Sequence, residues 1–262
     1  MIKKVLSVGT VILMVSTIAC QQEESLVSTE ISQSTLDKIS ALGLNVQDVQ
    51  RIDDGYLVEG DIILHEDDLL RTYSKKHLSI AEVEQYRTFN LVTNLPRTIT
   101  VAVSGTVSSA FSTAVDNAIA RYNAENLLLT LQRVSSNADI TIKIVNTGQY
   151  IASAGFPDSN GNPYPEVKYA KKYTSYSDGF MTTVLAHEIG HCIGFRHTDY
   201  MNRSYSCGSG GNEGQETTGV GAVHIPGTPT GPDANSWMLA CLSSTTNRPF
   251  NANDKIALGY LY

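Results

Sequence analysis

His187-Glu188-Ile189-Gly190-His191-Cys192-Ile193-Gly194-Phe195-Arg196-His197 carries three histidines, one acid and one glycine at the spacing H-E-x-x-H-x-x-G-x-x-H. Helical periodicity explains that spacing. Met181, Leu185, Ile189 and Ile193 recur every four residues, so residues 180–193 read as a helix with one apolar stripe for a core. His187 and His191 are also four apart and sit one above the other on a different face, close enough to share one metal ion. Glu188 lies beside them without being a ligand. Gly194 falls where the helix would stop, because glycine tolerates the left-handed conformation of a C-terminal cap, and the reversal brings His197 back as a third ligand.

Three neutral imidazoles leave the fourth position of a zinc ion open, which is the arrangement of a catalytic and not of a structural site. Zinc lowers the pKa of a bound water to about 7, so Glu188 can act on that water as general base and later on a leaving amine as general acid. The expected chemistry is amide hydrolysis, with one Zn2+ on His187, His191 and His197 and with Glu188 as the catalytic residue. A binding or adhesion protein that keeps the zinc scaffold with weak turnover is the alternative. A structural zinc domain is a third, and it predicts unfolding on chelation.

The run resembles the signature of the metzincin zinc peptidases. It is more similar still to the bacterial dual-action HEIGH metallopeptidases, since residues 187–191 read HEIGH and residues 194–199 continue as GFRHTD. The resemblance implies a zinc endopeptidase of α+β class with a metzincin, zincin-like catalytic domain: a twisted mixed sheet, a backing helix, an active-site helix and a Met-turn, preceded by a small N-terminal leader domain. Ser236-Trp237-Met238 resembles the Met-turn and places Met238 beneath the metal. Ala240 stands where some metzincins have a tyrosine, which leaves the oxyanion-stabilising group open, with Tyr200 a candidate. Metzincins bind substrate backbone along an edge strand, and residues 166–169 are where this resemblance places it, so that an extended polypeptide adds as a further strand. Val58-Glu59-Gly60-Asp61-Ile62 resembles the leader of the same HEIGH family and reads as part of a propeptide. Metzincin leaders often silence the enzyme by placing a ligand on the zinc. This one has no cysteine beyond Cys20, which leaves Asp61, His65, Glu66, Asp67 and Asp68 as donors.

Working outward, Ile99, Val101 and Val103 alternate as a strand, and Ser108 or Ser109 can cap a helix carrying Phe111, Val115 and Ile119. Residues 127–134 give a second strand, and Ile140, Ile142 and Ile144 a third. Residues 152–163 read as a turn-rich loop. In the leader, residues 36–44 have helical character ending near Gly43, residues 56–64 suggest a strand or hairpin beside the Asp54-Gly55 turn, and residues 81–89 carry a short helical pattern. Residues 200–232 read as a long irregular loop, within which residues 208–214 and Glu213 or Asp233 can hold a structural Ca2+. Asn253 or Asp254 starts a terminal helix packed through Ile256, Leu258 and Leu261.

The chain divides into a signal peptide at 1–19, a lipid-anchored tether and small propeptide-like domain at 20–95, and a zinc peptidase domain at 96–262. Lys3 and Lys4 precede an apolar run over residues 5–19 that is too short for a membrane span and suits a bacterial secretory signal. Cys20 directly after Ala19 resembles a lipoprotein cleavage site, with Gln21-Gln22-Glu23-Glu24 as a polar tether. Thr17 stands where such sites usually have leucine, so simple secretion remains open. The expected location is the bacterial envelope, lipid-anchored at the outer membrane or cell surface, or outside the cell. A formal charge of -7 argues against nucleic-acid binding, and with 42% hydrophobic residues the 262-residue chain can bury a substantial core. In an oxidising compartment Cys207 and Cys241 are the expected pair, tying the loop after the zinc helix to the Met-turn, while Cys192 reads as a small buried hydrophobe.

Overall fold

Ser32 accepts from the Thr35 amide and starts α1 (Gln33–Ala41), and Gly43, at φ 83°, closes it where the sequence places the stop. A meander follows: β1 (Gln50–Ile52), β2 (Gly55–Val58) and β3 (Ile62–Leu64), all antiparallel. Gly55 permits it, because a Cβ there would lie 2.1 Å from the Leu64 carbonyl oxygen. Ile39, Tyr56, Val58, Ile62 and Leu64 form a small core with Phe156 and Val220 from far along the chain. Residues 31–262 accordingly pack as one compact unit. The computed structural model describes residues 30–70, 85–213, 220–229 and 231–262; the signal segment, Cys20 and the acidic tether lie outside them.

The helical pattern over residues 81–89 falls partly outside the described residues, and the part inside is a strand, β4 (Tyr86–Arg87). Its partners come from the catalytic region, so tertiary pairing overrides a weak local propensity. Next come β5 (Arg97–Ser104), α2 (Ser109–Asn123), β6 (Leu129–Arg133), β7 (Ile140–Val145), β8 (Ala152–Ser153), β9 (Glu166–Ala170) and α3 (Asp178–Cys192). Among the described residues, five strands form a mixed sheet in the order β6-β5-β7-β9-β8, with β8 antiparallel to β9 and the other pairs parallel. The expected edge strand is therefore corrected. Residues 166–169 lie in β9, which is flanked on both sides, and the edge is β8, from the stretch that reads as a turn-rich loop.

Ser108 caps α2 and Ser177 caps α3, each accepting from the amide three residues on. The two helices pack together, with the Tyr122 hydroxyl donating to the Ala186 carbonyl at 2.7 Å and the Phe111 ring edge-on to Tyr169 of the sheet. Met181, Leu185, Ile189 and Ile193 are buried as expected, yet every residue from Phe180 to Ile193 is buried as well. A helix enclosed all round has no polar face, so the stripe was only one part of its packing.

After α3 the chain forms β10 (Phe195–Arg196), α4 (Ser204–Cys207), β11 (Val223–His224) and α5 (Ala252–Leu261). β4 pairs antiparallel with β10 on one side and β11 on the other. The supposed irregular loop thus holds a short helix and a strand. Cys207 and Cys241 form the expected disulfide, and Cys192 is free and buried. Asn251 caps α5, two residues before the expected start at Asn253 or Asp254, through a capping box in which Asn251 and Asp254 bond each other's backbone amides. Ala257 and Leu258 are buried there, whereas Ile256 is largely exposed instead of packed.

Candidate metal centre

α3 delivers His187 and His191 from adjacent turns, and Gly194, at φ 110°, reverses the chain so that His197 arrives after β10. The three Nε2 atoms converge: His191 is 3.1 Å from His187 and 3.2 Å from His197. Each Nδ1 is committed elsewhere, that of His187 to the Trp237 carbonyl at 2.8 Å, that of His191 to the Phe195 carbonyl at 2.8 Å and that of His197 to the Glu213 carboxylate. Carbonyls and carboxylates only accept, so each ring carries a proton on Nδ1 and presents Nε2 to the other two. Three Nε2 atoms held this close suit a shared metal ion, which takes a lone pair from each. Their spacing is close to the roughly 3.3 Å expected between ligands of a tetrahedral ion with bonds of about 2.0–2.1 Å.

Residues 236–238, the expected Met-turn, pack against this cradle. The Met238 carbonyl accepts from the Thr198 amide at 2.9 Å, and Asp254 holds the turn through Ser236 Oγ at 2.9 Å and the Trp237 amide at 3.3 Å. Gly190 is explained by the same contact, since a Cβ on it would lie 2.7 Å from Met238 Sδ.

A fourth donor comes from the turn between β2 and β3. Asp61 Oδ2 stands 3.0 Å from His197 Nε2 and 3.6 Å from His187 Nε2, and the four side chains form one group able to hold a metal ion. Asp61 sits just past a tight turn in which Glu59 has φ 54° and Gly60 φ 90°. Glu59 is held there by a buried ion pair with Arg196 at 3.0 Å. The Asp61 carbonyl accepts from the Ala154 amide at 2.9 Å, and the Ile63 amide donates to the Ala154 carbonyl at 2.8 Å, a single parallel bridge just past the end of β8. Of the other expected latch donors, His65 bonds the Asp54 carbonyl, Glu66 pairs with Arg51, and Asp68 accepts from the His65 amide. None of them, nor Asp67, belongs to the histidine group.

Glu188 lines a cavity of about 210 Å³ with Asp61, Tyr150, Val184 and His187, and its Oε2 is buried without a hydrogen-bond partner among the described residues. Burial, reinforced by the Asp61 charge, pushes the Glu188 carboxyl well above its usual range. Burial and two neighbouring imidazoles hold His191 well below its own. For His197 burial acts in the same sense, but the Asp61 and Glu213 carboxylates outweigh it and raise the ring.

Tyr200 is not at this site. It packs against Tyr86, 4.2 Å between ring centroids, and the tyrosine lining the cavity is Tyr150. The expected calcium donors are also apart: Glu213 turns onto His197, whereas Asp233 bonds Asn251 and Asn253. Glu213 as a partner of His197 is the feature sequence reading missed. Only its position in the long loop pointed toward the site.

Two solved structures of myroilysin are similar to this chain, both at 16% identity. One has a TM-score of 0.45 and covers 66% of this chain and 96% of its own, and the other has 0.41, with 69% and 90%. Curated proteins give no match. The sequence profile of the dual-action HEIGH metallopeptidases matches residues 57–262, which takes in Asp61, Glu188 and all three histidines. The chain belongs to the dual-action HEIGH metallopeptidase family and is a metallopeptidase, a hydrolase of peptide bonds.

Proposed function

We propose that this metallopeptidase is a zinc-dependent endopeptidase in which His187, His191 and His197 bind the metal, Glu188 is general base and acid, and the leader keeps the site silent through Asp61. The convergence of three Nε2 atoms, each set by an acceptor on its Nδ1, carries the reading. Zinc bound there supplies a Lewis acid for the scissile carbonyl and makes water acidic enough to react near neutral pH. Glu188, which lines the cavity beside His187 and has a carboxylate oxygen without a hydrogen-bond partner among the described residues, takes the proton from the attacking water and passes it to the leaving amine. The β8 edge supports an endopeptidase, because an extended substrate can add there as a strand without offering a chain terminus. Asp61 takes the fourth place in the donor group, so its carboxylate has to leave the metal before turnover.

Glu188→Gln tests the acid and base role. It should keep full zinc content while hydrolysis of a quenched-peptide library falls by roughly 10²–10⁴. Undiminished hydrolysis would remove Glu188 from the mechanism. No hydrolysis by the folded, zinc-loaded parent after release of its leader would favour the binding-protein alternative. The lipid anchor on Cys20 and an envelope location belong to this proposal on sequence grounds alone. Labelling with a palmitate analogue, lost in Cys20→Ala, is the expected result, and an unlabelled parent protein would overturn it.

A further inference from the structure

The three histidines are oriented differently: His187 and His191 each lean on one backbone carbonyl, whereas His197 Nδ1 faces both oxygens of Glu213, at 2.8 and 2.9 Å. Glu213 is wholly buried, 0% exposed, from a segment with little regular structure of its own. A carboxylate in such a place needs compensation. Arg203 Nη1 lies 3.2 Å from Glu213 Oε1, Arg196 Nη2 lies 3.9 Å from Oε2, and the Glu213 amide is tied to the Tyr200 carbonyl. Arg196 Nη2 also donates to the Glu213 carbonyl at 3.2 Å, so the residue is fixed at backbone and side chain alike.

We infer that Glu213 is the positioning residue of the metal site, a buried carboxylate that fixes the tautomer and plane of His197. The inference rests on reading the histidines as metal ligands. A carboxylate behind an imidazole raises its donor strength more than a carbonyl does, and loss of such a partner costs metal affinity without removing a ligand. His197 most needs this help. His187 and His191 ride on one rigid helix, but His197 reaches the site only through the Gly194 reversal and two residues of β10.

The test is zinc affinity of the full chain, by competition with a chromogenic chelator, for the parent and for Glu213→Gln, with thermal unfolding of each recorded with and without zinc. The variant should bind zinc roughly ten- to a hundredfold more weakly, and zinc should raise its melting temperature by less than it raises that of the parent. A purely structural role would lower both melting temperatures together and leave the zinc-induced increment and the affinity unchanged, which would overturn the inference. Should the variant not fold, ¹⁵N spectra of histidine-labelled parent protein decide: a His197 proton on Nδ1, shifted downfield relative to those of His187 and His191, supports the assignment, and a proton on Nε2 in the zinc-loaded protein refutes it. None of these readouts requires hydrolysis, so a failed peptidase mechanism leaves the result intact. A parent chain that binds no zinc would overturn both readings.

Discussion

Gly190 shows how much a single residue of the motif carries. Within the H-E-x-x-H spacing it occupies a free position, and nothing in the sequence alone demands a glycine there. The structure supplies the reason: Met238 Sδ occupies the space a Cβ would take, and Trp237 Nε1 is only 3.2 Å from the same point. Gly190→Ala should therefore force the Met-turn away from the zinc helix and destabilise the protein by about 1–3 kcal/mol, with zinc affinity reduced as the Trp237 carbonyl shifts from His187. Equal denaturation midpoints for the variant and the parent would show that the Met-turn yields freely. The convergence of His187, His191 and His197 was legible because helical spacing relates residues close in sequence. Glu213 and Asp61 were harder. Asp61 meets His197 across 136 residues and Glu213 across 16, the latter from a stretch without periodicity, and spacing does not encode either contact. Asp61 appeared in the sequence only as one of five possible donors, and the Glu59-Gly60 turn is what selects it.

At the scale of elements, the alternating runs of β5 and β7 and the capped, periodic helices α2 and α3 could be read directly, because each has a buried face with a repeat of its own. Two-residue strands could not. β4, β8 and β10 have no periodicity to detect and exist through their partners. β4 bears on where the leader can end. It is central to the sheet with β10 and β11, Tyr86 packs on Tyr200 and Ala222, and the Gln85 side chain donates to Asp254 at 2.7 Å beneath the Met-turn. A boundary at residue 95 would strip these contacts, so the cut that releases the leader should fall between Leu70 and Gln85. Chains beginning at Gln85 and at Leu95 test this. The longer should unfold in one cooperative transition, and the shorter should unfold at a clearly lower temperature. Matching transitions would mean that β4 belongs to the leader after all.

Residues 31–262 form one compact unit, in which the N-terminal part is built into the rest. Its small core takes in Phe156 and Val220, Ile62 bridges Ala154, Glu59 pairs with buried Arg196, and Asp61 joins the three histidines in one donor group. The family was legible from eleven residues. The place of Asp61 was not, because it depends on a hairpin more than a hundred residues away from the histidines. In the proposed function silencing has a specific molecular cause, the Asp61 carboxylate at the fourth ligand position, and removing that carboxylate should release activity without any cut. Peptide hydrolysis by the intact Asp61→Ala chain, with and without a zinc chelator, is therefore the most direct measurement. The account predicts that this variant cleaves a quenched peptide library well above the parent, that chelation abolishes the cleavage, and that adding Glu188→Gln abolishes it too. Cleavage that survives the chelator, or that persists with Glu188→Gln, would contradict it.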